Sequence, residues 1–338
     1  HQPADVVALA APWVRVSFLS FLPLLLFQGF KQFAEGLGLT RQAMLLSVQA
    51  NLLNAVLCYG LVFGRLGLPE MGMMGAAWAT LIARVLMAVL MAAYVLRAVR
   101  LRPYRQAAAR RLRPDAAGLR RLLGLGAPIG GQMMFEVGAF GFSGIMIGWL
   151  GATQLAAHQI ALNVASVTYM AASGIAAAAT IRVGKHYGLQ DGAGARQAGF
   201  AAYWLTFAFM TLMGLGLVLG RFRIPLYYNH DPAVVAQAAA LLLIAAAFQV
   251  SDGVQVVGLG ALRGLEDVKV PSVVALLAYW AVALPLGYVL GFRLGWGALG
   301  VWVGLLTGLS LVAVLLLVRF RRRPLVAAPL NESALAVR

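Results

Sequence analysis

Nine apolar runs divide the chain, with approximate limits 7–30, 43–64, 71–96, 122–148, 152–181, 199–220, 233–259, 270–292 and 297–318. Each is close to the roughly 20 residues that a helix needs to cross a bilayer. They hold Leu, Ala and Gly at helical length, without the alternation of a membrane β-barrel strand. Polar residues gather between the runs, above all in the basic segment "RAVRLRPYRQAAARRLRPDAAGLRR". The pattern predicts an all-α polytopic membrane protein with nine transmembrane helices.

The same pattern repeats. From His1 the chain reads "HQPADVVALAA" and from His230 "HDPAVVAQAAA", identical at six of eleven positions. Further on, "GLGLTR" (36–41) faces "GLEDVK" (264–269), "RLG" (65–67) faces "RLG" (293–295) and Gly72 faces Gly300. The interval contains an even number of spans, so the copies share one orientation, as in parallel transporter repeats. The second copy has six spans and the first has three, matching the last three of the second. The expected division is an incomplete first lobe at 1–96, a basic linker at 97–121, a six-helix second lobe at 122–323 and a tail at 324–338. The register leads us to expect about 110 further residues, three helices, ahead of His1 in a parent of twelve helices. On that expectation these 338 residues alone do not catalyse exchange.

Composition agrees: 62% of the residues are hydrophobic and 11% charged, against roughly 25% charged in soluble domains. The net charge of +16 changes the picture only through its placement. Alternating the spans puts 21 of the 27 Lys and Arg on one side and four on the other, with Arg15 and Arg84 inside spans. Basic loops stay cytoplasmic, so the C-terminus is expected in the cytosol. The linker is read as lying near anionic headgroups, not as a nucleic-acid site. The lone Cys58 excludes an intramolecular disulfide. "RVGKHYG" has His186 where a phosphate-binding loop needs a hydroxyl, so ATP is not expected. The four His show no close metal-ligand spacing, and no enzyme cluster stands out.

Candidate chemistry lies in two acids. Most Asp and Glu sit in loops or at span ends; only Glu136 and Asp252 lie deep. A carboxylate at mid-bilayer needs a partner or a purpose. Glu136 is 14 residues past Leu122, roughly 21 Å in, and Asp252 is 11 before Arg263, roughly 16 Å in. Two antiparallel helices can bring them to similar levels, where the pair holds a proton or another cation. The alternative is two neutral acids that tie helices together. On the 152–181 run, Gln159, Asn163, Ser166 and Ser173 form one polar stripe, able to line a wet cavity or to join helices. Pro23, Pro128 and Pro285 lie within spans and are candidate bends.

Several segments resemble the multidrug and toxic compound extrusion (MATE) transporters, NorM-like branch. "FKQFAEGLGLTR" (30–41) and "GLPEMGMMGAAWAT" (67–80) are similar to its fourth-to-sixth helix region. "GAPIGGQMMFEVGAF" (126–140), "AAHQIALNV" (156–164), "AATIRVGKHYG" (178–188), "FQVSDGVQVVGLGALRG" (248–264) and "VKVP" (268–271) are similar to second-lobe signatures. The resemblance implies two six-helix lobes that expose a central cleft to either side in turn and exchange an organic cation or aromatic drug for sodium or protons. It implies a monomer in a bacterial inner membrane, with no cofactor beyond the coupling ion. Glu136 and Asp252 match the cation site, sodium included; Gln159 and Asn163 match the substrate region. Phe248 stands where some members have Tyr, and with Met133 and Met134 it offers apolar surface. Asp231 matches a substrate-contact carboxylate in some members, but also reads as a helix cap before Pro232. Asn54 and Thr80 match first-lobe polar positions, while Cys58 replaces an Asn there. Alternatives are a lipid-intermediate flippase of the same superfamily and a non-transporting remnant.

Overall fold

The computed structural model describes residues 4–98, 101, 103 and 116–324, with side chains from residue 10. The opening match at His1 and Pro3, most of the 97–121 linker and the tail beyond 324 lie outside the described residues. The chain divides into two compact units, His1–Pro114 and Asp115–Arg338.

The first unit holds α1 (Ala4–Leu19), α2 (Phe21–Gly36), α3 (Thr40–Phe63) and α4 (Gly72–Arg97). The first apolar run, expected at 7–30, is a span from Ala10 to Gly36 with a break at Ser20. The break has a local cause. Pro23 has no N–H for the carbonyl four residues back, and Ser20 Oγ turns to the backbone, donating to the Ser17 carbonyl at 2.6 Å. Arg84 Nη1 donates to the same hydroxyl, and its guanidinium lies 5.8 Å from the Phe21 ring centroid. Pro23 therefore marks an interruption between two helices rather than a bend inside one.

The second unit holds α5 (Ala116–Trp149), α6 (Ala152–Gly188), α7 (Gly192–Gly220), α8 (Pro232–Gly264), α9 (Lys269–Arg293) and α10 (Ala298–Arg322). Among the described residues, eight helical stretches are long and apolar enough to cross a membrane. α5 is not among them despite its 34 residues, because glycines, Gln132 and Glu136 dilute its hydropathy. It occupies the place of the span expected at 122–148. α9 is not a uniform helix: Leu277–Ala283 and Val289–Arg293 are wide π turns. Pro285 lies between them, and its ring removes the N–H that the Ala281 carbonyl would take.

Close helix contact rests on small residues, as is usual where lipid removes the hydrophobic drive between helices. A Cβ on Gly260 would lie 2.5 Å from the Ala176 carbonyl oxygen, and one on Gly264 2.8 Å from that of Thr180. These glycines seat α8 on α6, and Thr180 Oγ1 donates across the joint to the Gly260 carbonyl at 2.8 Å. α10 meets α9 the same way, with Gly304 against the Gly287 backbone. Around these seams Tyr279, Trp302, Leu241 and Phe320 are fully buried.

The helix ends are fixed by short polar contacts. Asp191 caps α7, accepting from the Gly194 N–H at 2.8 Å. That bond and the His186 imidazole at 2.8 Å hold its carboxyl below the usual carboxylate range. Asp267, 6% exposed, takes both ends of the Arg319 guanidinium at 2.7 and 3.1 Å. Arg121 donates to both oxygens of Glu266, which raises its pKa further. The α8–α9 turn is thereby tied to the ends of α10 and α5.

Candidate functional site

The site is built by α5, α6, α8 and α9. Gln255 on α8 donates to Glu136 on α5 at 3.0 Å, and Arg263 on α8 donates to Gln132 on α5 at 2.8 Å. The numbers rise along one helix as they fall along the other, so α5 and α8 run antiparallel. Ser272 of α9 donates to the Pro128 carbonyl at 2.8 Å, and Trp280 Nε1 to that of Phe135 at 3.0 Å, so α9 runs parallel to α5. With Glu136 opposite Gln255, Asp252 stands three residues, about 4.5 Å, further along the axis.

Both acids line one cavity of about 470 Å³, with Phe140 and Met133 from α5, Tyr169 and Ser173 from α6, and Phe248 and Arg263 from α8. Its wall is mostly apolar and aromatic with a few convergent polar groups, the general character of a small-molecule site. Phe248 packs on Phe140 and Trp302, with ring centroids 6.0 and 5.9 Å apart.

The two carboxylates are held differently. Both Glu136 oxygens accept amide hydrogens, Oε2 from Gln132 and Oε1 from Gln255, each at 3.0 Å. Tyr279 of α9 donates to Gln255 Oε1 at 2.8 Å and reaches Glu136 Oε1 at 3.5 Å. Gln132 and Gln255 are 2% and 0% exposed, so water does not replace them. The Asp252 carboxylate, on a residue 5% exposed, makes no hydrogen bond or ion pair with another described residue. Among the described residues, no three of His, Cys, Asp and Glu gather as for a metal centre. Further oxygens for a bound cation are those of Tyr169, Ser173 and Thr180, which share the cavity.

Other expected residues are spread more widely. The stripe on α6 is continuous but serves two cavities. Ser166 and Ser173 reach the acid cavity, while Gln159 and Asn163, with Ser166 again, line a second one of about 440 Å³ closed by Tyr228 and Asn229. Asn163 accepts from the Tyr228 hydroxyl at 2.8 Å. Met133 faces the acid cavity; Met134 does not line it and is 75% exposed, because one residue turns the helix face by about 100°. Asp231 lines neither cavity: it caps α8, accepting from the Ala233 N–H at 2.9 Å ahead of Pro232. Thr80 donates back to the Ala76 carbonyl at 2.9 Å, and Asn54 is half-buried on α3. His158 is buried and accepts from Trp302 Nε1 at 3.1 Å.

Four residues were not picked out from sequence: Gln132, Gln255, Tyr279 and Arg263. A signal existed, since Gln132 precedes Glu136 by one turn and Gln249, Asp252 and Gln255 follow at three-residue steps.

Comparison with known proteins decides the family. The MatE family profile matches residues 128–289. Multidrug resistance protein NorM of Burkholderia vietnamiensis is 41% identical over 337 residues, 97% of this chain and 72% of that protein. The chain belongs to the MatE family. The probable multidrug resistance protein NorM of Mesorhizobium japonicum is 39% identical, over 94% of this MatE chain and 68% of its own. Solved MATE structures share the fold. The eukaryotic MATE transporter AtDTX14 has a TM-score of 0.85 at 21% identity, covering 96% of this chain and 71% of that one. An outward-facing multidrug resistance MATE transporter of the MOP superfamily has a TM-score of 0.85 at 20% identity, covering 94% and 70%.

Proposed function

We propose that this MatE protein is a cation-coupled multidrug antiporter of a bacterial inner membrane, with its C-terminus in the cytosol. It exports organic cations and aromatic drugs by alternating access, in exchange for sodium or protons. One observation carries the reading: two carboxylates on antiparallel helices share one aromatic-walled cavity between buried amides. Glu136 and Asp252 hold the coupling cation. Phe248 and Met133 give an apolar drug surface beside them, and Gln159 and Asn163 serve a polar antechamber. The names of the relatives, multidrug resistance proteins, agree with this chemistry.

A single positive charge, entering between acids in a poorly hydrated cavity, relieves their repulsion and the cost of holding them ionised. Its binding energy therefore differs between conformations that pair the acids and conformations that separate them. Only such a difference shifts a conformational equilibrium. Displacement of the cation by a drug, or the reverse, then links the two fluxes.

The test is efflux of ethidium from liposomes under imposed sodium or pH gradients, using a version extended at the N-terminus to its relatives' length. Glu136→Gln and Asp252→Asn are each expected to bring gradient-driven efflux down to the unenergised level. Normal pumping by both neutral variants would overturn the assignment.

A further inference from the structure

We infer that Arg263 is an internal counter-charge for Glu136, transmitted through the Gln132 amide, and that it competes with the coupling cation at that carboxylate. The inference rests on the cation site proposed above and adds a residue that sets its affinity.

The geometry is a row of three groups. Arg263 Nη2 donates to Gln132 Oε1 at 2.8 Å, and Gln132 Nε2 donates to Glu136 Oε2 at 3.0 Å. An amide engaged at its oxygen by a guanidinium is polarised toward the acceptor of its N–H. Gln132 is buried and spans both bonds, so the link is held in place. Arg263 itself lines the acid cavity and makes no direct ion pair with a described carboxylate. Its Nε is buried without a hydrogen-bond partner, so the guanidinium is not saturated. A guanidinium whose Nε is buried in the last turn of its helix is costly unless acids or polar groups compensate it. The compensation here is one amide away.

Counting charge sharpens the point. Of the residues lining the cavity, the titratable ones are Glu136 on α5, Tyr169 on α6, and Asp252 and Arg263 on α8. With both acids ionised and Tyr169 neutral, the set carries −1, so one monovalent cation neutralises it. Without Arg263 it carries −2, and the first cation binds more tightly. Two hydrogen bonds and an amide separate Arg263 from Glu136 by about 7 Å. At an effective dielectric near 20, such a separation changes an equilibrium constant by on the order of tenfold or more.

The experiment titrates the purified 338-residue chain in detergent micelles, with sodium at fixed pH and with protons in sodium-free buffer. Intrinsic tryptophan emission is the readout, because the Trp302 ring packs on Phe248 at the cavity wall. Arg263→Gln is expected to lower the half-saturating cation concentration on the order of tenfold. Arg263→Lys keeps the charge and should stay near wild type. Gln132→Asn, too short to bridge both partners, should shift the midpoint in the same direction by less. An unchanged or raised midpoint in folded Arg263→Gln overturns the inference; if that variant does not fold, an unchanged Gln132→Asn does so. Glu136→Gln and Asp252→Asn separate the two readings. If both keep the wild-type response, the cation site fails; if both lose it while Arg263→Gln is unmoved, only the counter-charge fails.

Discussion

Replacing Tyr279 with Phe removes one oxygen atom from the centre of the second unit, and its cost follows from what that atom does. The hydroxyl donates to Gln255 Oε1 at 2.8 Å, and both residues are 0% exposed. In Tyr279→Phe the amide oxygen stays buried with no donor in reach. The vacated space is smaller than a water needs, about 10–15 Å³ of probe volume with several polar partners, and Gln255 does not line the acid cavity. The variant therefore bears the desolvation of an orphaned amide, about 1–3 kcal/mol. At about 2 kcal/mol the folded-to-unfolded ratio falls roughly thirtyfold.

The assay is equilibrium unfolding in mixed detergent–SDS micelles, set out as a double-mutant cycle with Gln255→Met. Removing both partners leaves no orphan at Gln255 Oε1, so the double variant should be more stable than the sum of the singles implies. We expect a coupling of about 1 kcal/mol, the net worth of one such bond. Tyr288→Phe serves as control: Tyr288 is 43% exposed, and a change within about 0.5 kcal/mol is expected there. A Tyr279→Phe loss no larger than the control, or a cycle that closes with zero coupling, refutes the claim that Tyr279 fixes the amide holding Glu136.

Two further predictions concern helix contact and a helix end. Gly304→Ala places a Cβ 2.5 Å from the Gly287 backbone, so α9 and α10 must separate, at about 1–3 kcal/mol. Gly174→Ala, with nothing within 4 Å of its Cβ, should be neutral or gain up to about 1 kcal/mol of helix propensity; the same unfolding assay ranks the two, and equal effects would discredit the seam. The Asp191 cap titrates. Its folded pKa lies below the ordinary value, through the Gly194 N–H first and His186 second. Its stabilisation is thus present above the unfolded pKa, near 4, and is lost as the pH falls through the lower folded value. The protection factor of the Gly194 amide, its exchange rate relative to an unstructured chain at the same pH, should fall over that acid window in wild type and be low already at neutral pH in Asp191→Ala; a pH-independent wild-type protection factor would contradict the cap.

The spans were legible because burial in lipid demands apolar residues around a whole helix, and that demand leaves long unbroken runs. Their interruptions were less so. Pro23 was visible, but the reach of Arg84 from α4 to the Ser20 hydroxyl at the break is a tertiary fact. The π turns of α9 carry the same apolar residues as an ordinary helix, with only Pro285 to mark them. Among the site residues, Glu136 and Asp252 stood out because an acid in an apolar run is costly enough to be rare. Gln132 and Gln255 are uncharged, and amides in membrane helices are common enough that only their partners distinguish them.

Helix phase and register explain what remained hidden. Neighbouring residues such as Met133 and Met134 are equivalent in composition, and only the direction in which α5 faces its neighbours makes one a cavity wall and the other an exposed side chain. The α6 stripe lies along one face, yet two cavities meet on that face at Leu162 and Ser166, so Gln159 and Asn163 fall beside Tyr228 while Ser173 falls beside the acids. The depth of Glu136 was counted from Leu122, yet α5 begins at Ala116, because the polar first turns of a helix leave no mark in an apolar run. No such count reveals which amide lies opposite which acid, since sliding α8 by one turn would preserve every apolar run. That offset is recorded in the bonds from Gln255 to Glu136 and from Arg263 to Gln132, and it places Gln255, rather than Asp252, in hydrogen-bond contact with Glu136. The unequal support of the two carboxylates is thus a product of helix register: among the described residues, the offset of α8 against α5 leaves the Asp252 carboxylate without a hydrogen-bond partner beside an acid held by two amides.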